Sequence, residues 1–241
     1  MNLPNAITAG RIVVTPLIAL LPLVDSWTAR AIAFVLYVIA AVTDYYDGML
    51  ARTRNLVTDL GKLLDPLADK LLLLGTFIPM YLLGGAGSAW SPFIGSGLHY
   101  AENFRAGVFP FETPWGAVTL PLWIVLVVLG RELLMTIFRQ VAARRGVVIA
   151  AIGPAKWKTA FQSIWVGSAY FWFAYASWLV THLDASTSPA VLRFLQGFAY
   201  FNGIVGTISM FVAVGLTLYS LALYFQRYGY LLRGRAPAVE R

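Results

Sequence analysis

The sequence predicts an all-α integral membrane protein of six transmembrane helices, and three observations carry that expectation. Hydrophobic residues make up 59% of the 241 and charged residues only 12%, against roughly 25% charged in an average soluble domain. Six stretches, near 7–24, 31–50, 64–83, 120–141, 160–180 and 197–225, approach or exceed the roughly 20 mostly apolar residues that a spanning helix needs. Lysine and arginine are spread unevenly between alternate ends of those stretches, and that asymmetry orients the bundle.

The first stretch follows Met1 to Asn5, which lacks the basic n-region of a removed signal peptide, so it is expected to stay as a helix. The second and third flank a short Arg-containing turn. A long outer loop, about 84–119, separates the third from the fourth. No soluble second domain, internal repeat or low-complexity tract is visible, so residues 1–241 read as a single polytopic membrane domain.

With a cytoplasmic N-terminus, the inner loops and ends hold Arg52, Arg54, Lys62, Arg144, Arg145, Lys156, Lys158, Arg227, Arg233, Arg235 and Arg241. The outer ones hold only Arg30, Arg105 and Arg193. Both termini are therefore expected inside. The net charge of +7 suits anionic lipid headgroups. Nucleic acid is a poor partner, because the basic residues are dispersed along a membrane-embedded chain without a recognition motif. Zero cysteines exclude disulfides and thiolate chemistry.

Between Asp44 and Asp69 four aspartates, two glycines, an alanine and an arginine stand in the pattern D-x2-D-G-x2-A-R-x8-G-x3-D-x3-D. If 33–50 and 64–83 are helices, Asp44 and Asp47 share one face at i, i+3, and Asp65 and Asp69 share one face at i, i+4. Bringing the two faces together makes a pocket of four carboxylates. Such anions repel at close range unless cations are bound, and hard oxygen ligands suit Mg²⁺ or Mn²⁺. Gly48 and Ala51 continue the first face and leave room for a flat group, Arg52 offers a planar fork to phosphate oxygens, and Gly61 leaves space on the facing segment. Together these suggest a nucleoside diphosphate as ligand.

At all eight fixed positions, Asp44, Asp47, Gly48, Ala51, Arg52, Gly61, Asp65 and Asp69, the motif resembles the signature of the CDP-alcohol phosphotransferase family. The resemblance implies a six-helix membrane enzyme, usually a homodimer, that displaces CMP from a CDP-linked lipid with an alcohol. It also implies roles. Asp44, Asp47 and Asp65 would hold a pair of divalent ions, with Asp69 completing the second site and acting as general base. Gly48, Ala51, Arg52 and Thr58 would line the CDP-lipid.

Outside the motif, Asn2 to Arg11, Gly130 to Arg139 and Lys156 to Thr159 resemble the branch of that family whose acceptor is glycerol 3-phosphate and whose products are phosphatidylglycerophosphate and CMP. Arg131 and Arg139 lie about 12 Å apart along a helix at about 1.5 Å per residue, and intramembrane arginines are costly enough to be functional by default. With Lys156 and Lys158 they would make a site for the acceptor's phosphate dianion. The implied place is the inner membrane, with the active site facing the cytoplasm.

Plainer readings stand beside these. Asp65 before Pro66 also reads as a helix N-cap, Arg131 with Glu132 as a structural pair, Arg139 as a side chain snorkelling to the interface, and Lys156 and Lys158 as inside-loop charges. Asp59 reads as a solvated loop charge. Other acceptors, namely inositol phosphate, serine, an amino alcohol or phosphatidylglycerol, would use the same motif. A divalent-metal transporter is the alternative of another class, but the four aspartates gather at one membrane face, and no charged residue follows from Leu71 to Leu83.

Overall fold

In the computed structural model residues 3–53, 58–84, 94–95, 109–147, 153–184 and 187–231 are described, with backbone alone at 3–4, 45, 47–53, 59–60, 62–63, 94–95, 154–156 and 231. Six long helices carry the described chain: α1 (Leu3–Leu20), α2 (Trp27–Thr53), α3 (Asp59–Gly84), α4 (Leu122–Arg144), α5 (Gly153–His182) and α6 (Pro189–Tyr228). The protein is a multi-pass membrane protein. Four stretches are long and apolar enough to cross a bilayer on those grounds alone: Asn5–Leu23, Trp27–Asp44, Leu64–Gly84 and Pro189–Tyr228. The other two helices differ in composition. Arg131, Glu132 and Arg139 interrupt α4, and α5 is heavy in Trp, Tyr and Ser. Large apolar side chains such as Val13, Leu82, Leu126, Leu133, Phe201 and Ile208 point outward, as they do where lipid rather than protein covers them.

Prolines shape the centre of the bundle. Pro22 and Pro79 lack the N–H that would close the helical bonds to the carbonyls of Ile18 and Gly75. The Tyr170 hydroxyl from α5 lies 3.1 Å from the first carbonyl and 3.3 Å from the second, so one side chain serves both. Tyr170 stacks on Tyr37 of α2 at 5.4 Å, and Phe77 of α3 meets Trp165 of α5 edge-on at 5.0 Å. These rings, with Trp172, Phe173 and Met210, form the core. Where α1 crosses α3, a Cβ on Gly75 would sit 3.0 Å from Thr15 Cγ2, so glycine permits the close approach.

α3 begins earlier than the apolar run suggests. Thr58 caps it: its hydroxyl accepts from the Gly61 N–H at 3.1 Å, which is N-cap geometry. Asp65 therefore lies inside the helix and not at its cap, Pro66 is also interior, and Asp59, expected in a loop, is the first helical residue.

The long outer segment is partly structured. Strands β1 (Ile94–Gly95), β2 (Phe111–Thr113) and β3 (Gly116–Val118) form a small antiparallel sheet in the order β1-β3-β2, with Phe111 opposite Val118 and Thr113 opposite Gly116. Gly116 turns the hairpin at φ 129°, a conformation that glycine tolerates. This ribbon is packed into the bundle. Phe111 lies over Gly206 of α6, the Glu112 backbone lies over Gly203, and Leu83 and Gly84 at the end of α3 accept from the N–H groups of Phe109 and Leu120.

Candidate active site

At the opposite end from the ribbon, α1 presents Asn5, Thr8, Arg11 and Thr15 on one buried face, spaced three to four residues apart as one side of a helix requires. Polar groups on a spanning helix must find partners within the protein, and each of these does. Asn5 donates to Thr58 Oγ1 at 2.8 Å and Thr8 donates to Asp65 Oδ1 at 2.9 Å. Thr15 bonds the Arg11 carbonyl at 2.8 Å. Arg11 Nη1 donates to Asp44 Oδ1 and, at 3.3 Å, to Asp69 Oδ1. Contacts advance together along both chains, so α1 and α3 run side by side in the same direction. Gly61 suits their close approach, since a Cβ there would stand 2.8 Å from Asn5 Oδ1 and push that side chain aside.

The carboxylates are open on their other side. Asp44 and Asp69 side chains are 46% and 62% exposed, whereas the Arg11 side chain between them is 1% exposed. They border a cavity of about 190 Å³ lined from α2 by Tyr37, from α3 by Lys70, Leu72 and Leu73, from α4 by Glu132, and from α5 by Lys158, Thr159, Gln162, Ser163 and Val166. Its basic wall is partly neutralised. Glu132 Oε1 accepts from Lys158 Nζ and, at 2.9 Å, from Arg131 Nη1, while Arg131 Nη2 reaches Ser220 of α6 at 3.2 Å.

Of the residues expected to form a metal site, the structure joins Asp44 and Asp69 through one arginine and ties Asp65 to Thr8. Asp47's side chain lies outside the described residues. Among the described residues no three carboxylate or imidazole side chains are gathered around one point. The donor chemistry nevertheless fits a hard divalent ion, because every described member is a carboxylate with an open face. Of the expected CDP-lipid residues, the side chains of Ala51 and Arg52, like anything beyond the backbone at Gly48, lie outside the described residues, and the Thr58 hydroxyl is engaged in capping α3. Of the expected acceptor residues, Lys158 lines the cavity. Arg131 does not, being buried between Glu132 and Ser220. Arg139 is exposed on α4, within electrostatic reach of Lys158, and the Lys156 side chain is not described. Sequence reasoning missed the structural part played by Asn5, Thr8 and Arg11, and by Glu132 as the hub of the basic wall. The signal for α1 was present: four polar residues at helical spacing in an apolar run.

A family model described as CDP-alcohol phosphatidyltransferase matches residues 1–219. The chain belongs to the CDP-alcohol phosphatidyltransferase family. It is therefore a transferase, and two residues of the CDP-alcohol signature, Asp44 and Asp69, line the cavity just described. The chain is 28% identical over 233 residues, 94% of its length and 79% of the relative's, to CDP-diacylglycerol–glycerol-3-phosphate 3-phosphatidyltransferase 2 of Arabidopsis thaliana. It is 51% identical over 71 residues to the enzyme called CDP-diacylglycerol–glycerol-3-phosphate 3-phosphatidyltransferase in Rickettsia typhi, a match spanning 30% of this chain and 40% of that one. A protein of Mycobacterium tuberculosis named "Probable phosphatidylglycerophosphate synthase" is 30% identical over 169 residues, 69% of this chain and 64% of its own.

Proposed function

We propose that this CDP-alcohol phosphatidyltransferase is a phosphatidylglycerophosphate synthase, which joins CDP-diacylglycerol and glycerol 3-phosphate to give phosphatidylglycerophosphate and CMP. The observation that carries the reading is the shared cavity: two motif aspartates on one wall face Lys158 and Glu132 on the other. Arg131, Lys158 and Glu132 together keep one net positive charge, and Arg139 adds another nearby. That balance suits a phosphate dianion while leaving the aspartate wall to the hydroxyl. The relatives' names point the same way.

In this reading Asp69 accepts the proton of the acceptor's primary hydroxyl as its oxygen attacks the lipid-side phosphorus. The new P–O bond forms as the bond to the CMP phosphate breaks, and CMP leaves with the electron pair. Asp44, Asp47, Asp65 and Asp69 would hold two Mg²⁺ or Mn²⁺ ions, which when bound neutralise the diphosphate and the departing CMP. Gly48, Ala51 and Arg52 would line the cytidine diphosphate, and Lys158, with Arg139 and Lys156 beside it, would hold the acceptor phosphate. A homodimer in the inner membrane with this cavity and both termini on the cytoplasmic side completes the reading, and the inside bias of Lys and Arg supports that orientation.

Glu132 favours a second reading, since a carboxylate in the acceptor wall also suits an amino alcohol or serine. CMP release from CDP-diacylglycerol by purified protein, offered glycerol 3-phosphate, inositol phosphate, serine, an amino alcohol and phosphatidylglycerol in turn, decides between them. Glycerol 3-phosphate is expected to be the preferred acceptor. Preference for any other leaves the family assignment standing and removes this one.

A further inference from the structure

We infer that Arg11 is a positioning residue of the transfer site: a single guanidinium nitrogen from α1 holds the carboxylates of Asp44 on α2 and Asp69 on α3 at a common point. This inference rests on the proposed reaction at that site.

Arg11 Nη1 donates to Oδ1 of both aspartates, so the two carboxylates are fixed relative to one another through one atom. The arginine reaches them from the protein side. Its side chain is almost fully buried while both carboxylates keep exposed faces, so the bridge leaves the cavity side of each free for substrate and ion. The bridge thus fixes the Asp69 carboxylate relative to Asp44 at the edge of the cavity that Lys158 and Thr159 line, the placement a proton acceptor needs. A guanidinium buried in a membrane bundle is costly and is retained where anions compensate it. Thr8 acts alike on Asp65, by a neutral bond of 2.9 Å. Along one face of α1, then, lie donors to three of the four motif aspartates.

The single-nitrogen contact makes a distinctive expectation. Arginine usually resists replacement by lysine where its planar fork is used, but here Asp44 and Asp69 both meet the same nitrogen, Nη1. An ammonium can bridge them too, so Arg11→Lys should be mild and Arg11→Met severe.

The experiment measures kcat and both KM values of the purified enzyme, and the thermal midpoint with and without Mn²⁺, for wild type, Arg11→Met and Arg11→Lys. Loss of charge-assisted hydrogen bonds of this kind corresponds to about ten- to a hundredfold, so Arg11→Met should lower kcat by that factor with the glycerol 3-phosphate KM within about threefold of wild type. Its midpoint should fall without Mn²⁺ and rise more on Mn²⁺ addition than that of wild type, because Asp44 and Asp69 then lack the arginine's competing positive charge. Arg11→Lys should stay near wild type in both readouts. Wild-type kcat in Arg11→Met, equal impairment of the lysine variant, or equal Mn²⁺-induced rises would overturn the inference while leaving the proposed function intact. An inactive wild type whose midpoint ignores Mn²⁺, with an Arg11→Met midpoint equally indifferent, would instead remove the proposed function and this inference with it.

Discussion

The two ends of the bundle treat buried charge in opposite ways. At the motif end, Arg11 and Lys158 are buried but paired, and the carboxylates they meet keep exposed faces on a cavity. At the ribbon end, Glu112 is 3% exposed, its Oε2 has no hydrogen-bond partner among the described residues, and its backbone lies against Gly203 of α6. Charge that is both paired and reachable can do chemistry on a substrate, whereas a carboxyl sealed inside the bundle acts only on stability. Substitutions at the motif end should therefore change turnover more than folding, and those at the ribbon end the reverse.

The largest effect should come from Asp65→Asn. The Thr8 bond can persist to the amide oxygen, so the protein should fold, but the proposed function loses an ion ligand, and CMP release should fall by orders of magnitude. A wild-type rate would break the contrast at its strongest point. Lys158→Ala comes next. Losing a charged hydrogen bond to the acceptor phosphate should raise the glycerol 3-phosphate KM by about ten- to a hundredfold and leave the CDP-diacylglycerol KM nearly unchanged, although the half-buried Glu132 then keeps only Arg131 among the described residues. Arg139→Ala should act in the same direction and more weakly, since Arg139 stands outside the cavity lining. An equal rise in both KM values would show that Lys158 does not serve the acceptor alone.

At the ribbon end Gly203→Ala should behave differently. The added Cβ would collide with the Glu112 carbonyl, and relieving such overpacking typically costs about 1–3 kcal/mol. A lowered thermal midpoint with kcat of the surviving folded enzyme intact is the expected outcome, and a selective loss of kcat would undo the division of labour between the ends. The smallest effect concerns Glu112 itself, whose carboxyl is pushed up from 4.5 to about 7 by burial. Folding favours its neutral form, so this contribution is fully present below pH 4.5 and is lost as pH rises through about 7. Glu112→Gln stays neutral throughout, so its midpoint should decline less than that of wild type across that window. Parallel declines would mean that Glu112 does not titrate in the folded protein.

The sequence made one end far more legible than the other. Asp44, Asp65 and Asp69 stood out because carboxylates are rare and costly in apolar helices, and their spacing alone placed them on common faces. α1 was read for its apolar length, so Asn5, Thr8 and Arg11 passed as incidental polarity. Their partners lie more than 30 residues away, beyond the reach of local periodicity. Glu132 was weighed only against its neighbour Arg131, because its bond to Lys158 joins different helices. The ribbon was read as loop, since its strands are two to three residues long and owe their order to packing against α6 rather than to any pattern of their own.

Transfer of labelled glycerol 3-phosphate into lipid, measured with CDP-diacylglycerol and Mg²⁺ for wild type and Asp69→Asn side by side with CDP-lipid binding, tests the central claim most directly. Wild type should make labelled phosphatidylglycerophosphate and lose that activity in excess chelator. Asp69→Asn should bind CDP-diacylglycerol with little change yet turn over about 10²- to 10⁴-fold more slowly, the range expected for losing a positioned proton acceptor. Wild-type turnover by Asp69→Asn, or undiminished transfer in chelator, would contradict the assignment of this cavity as the site of phosphatidyl transfer.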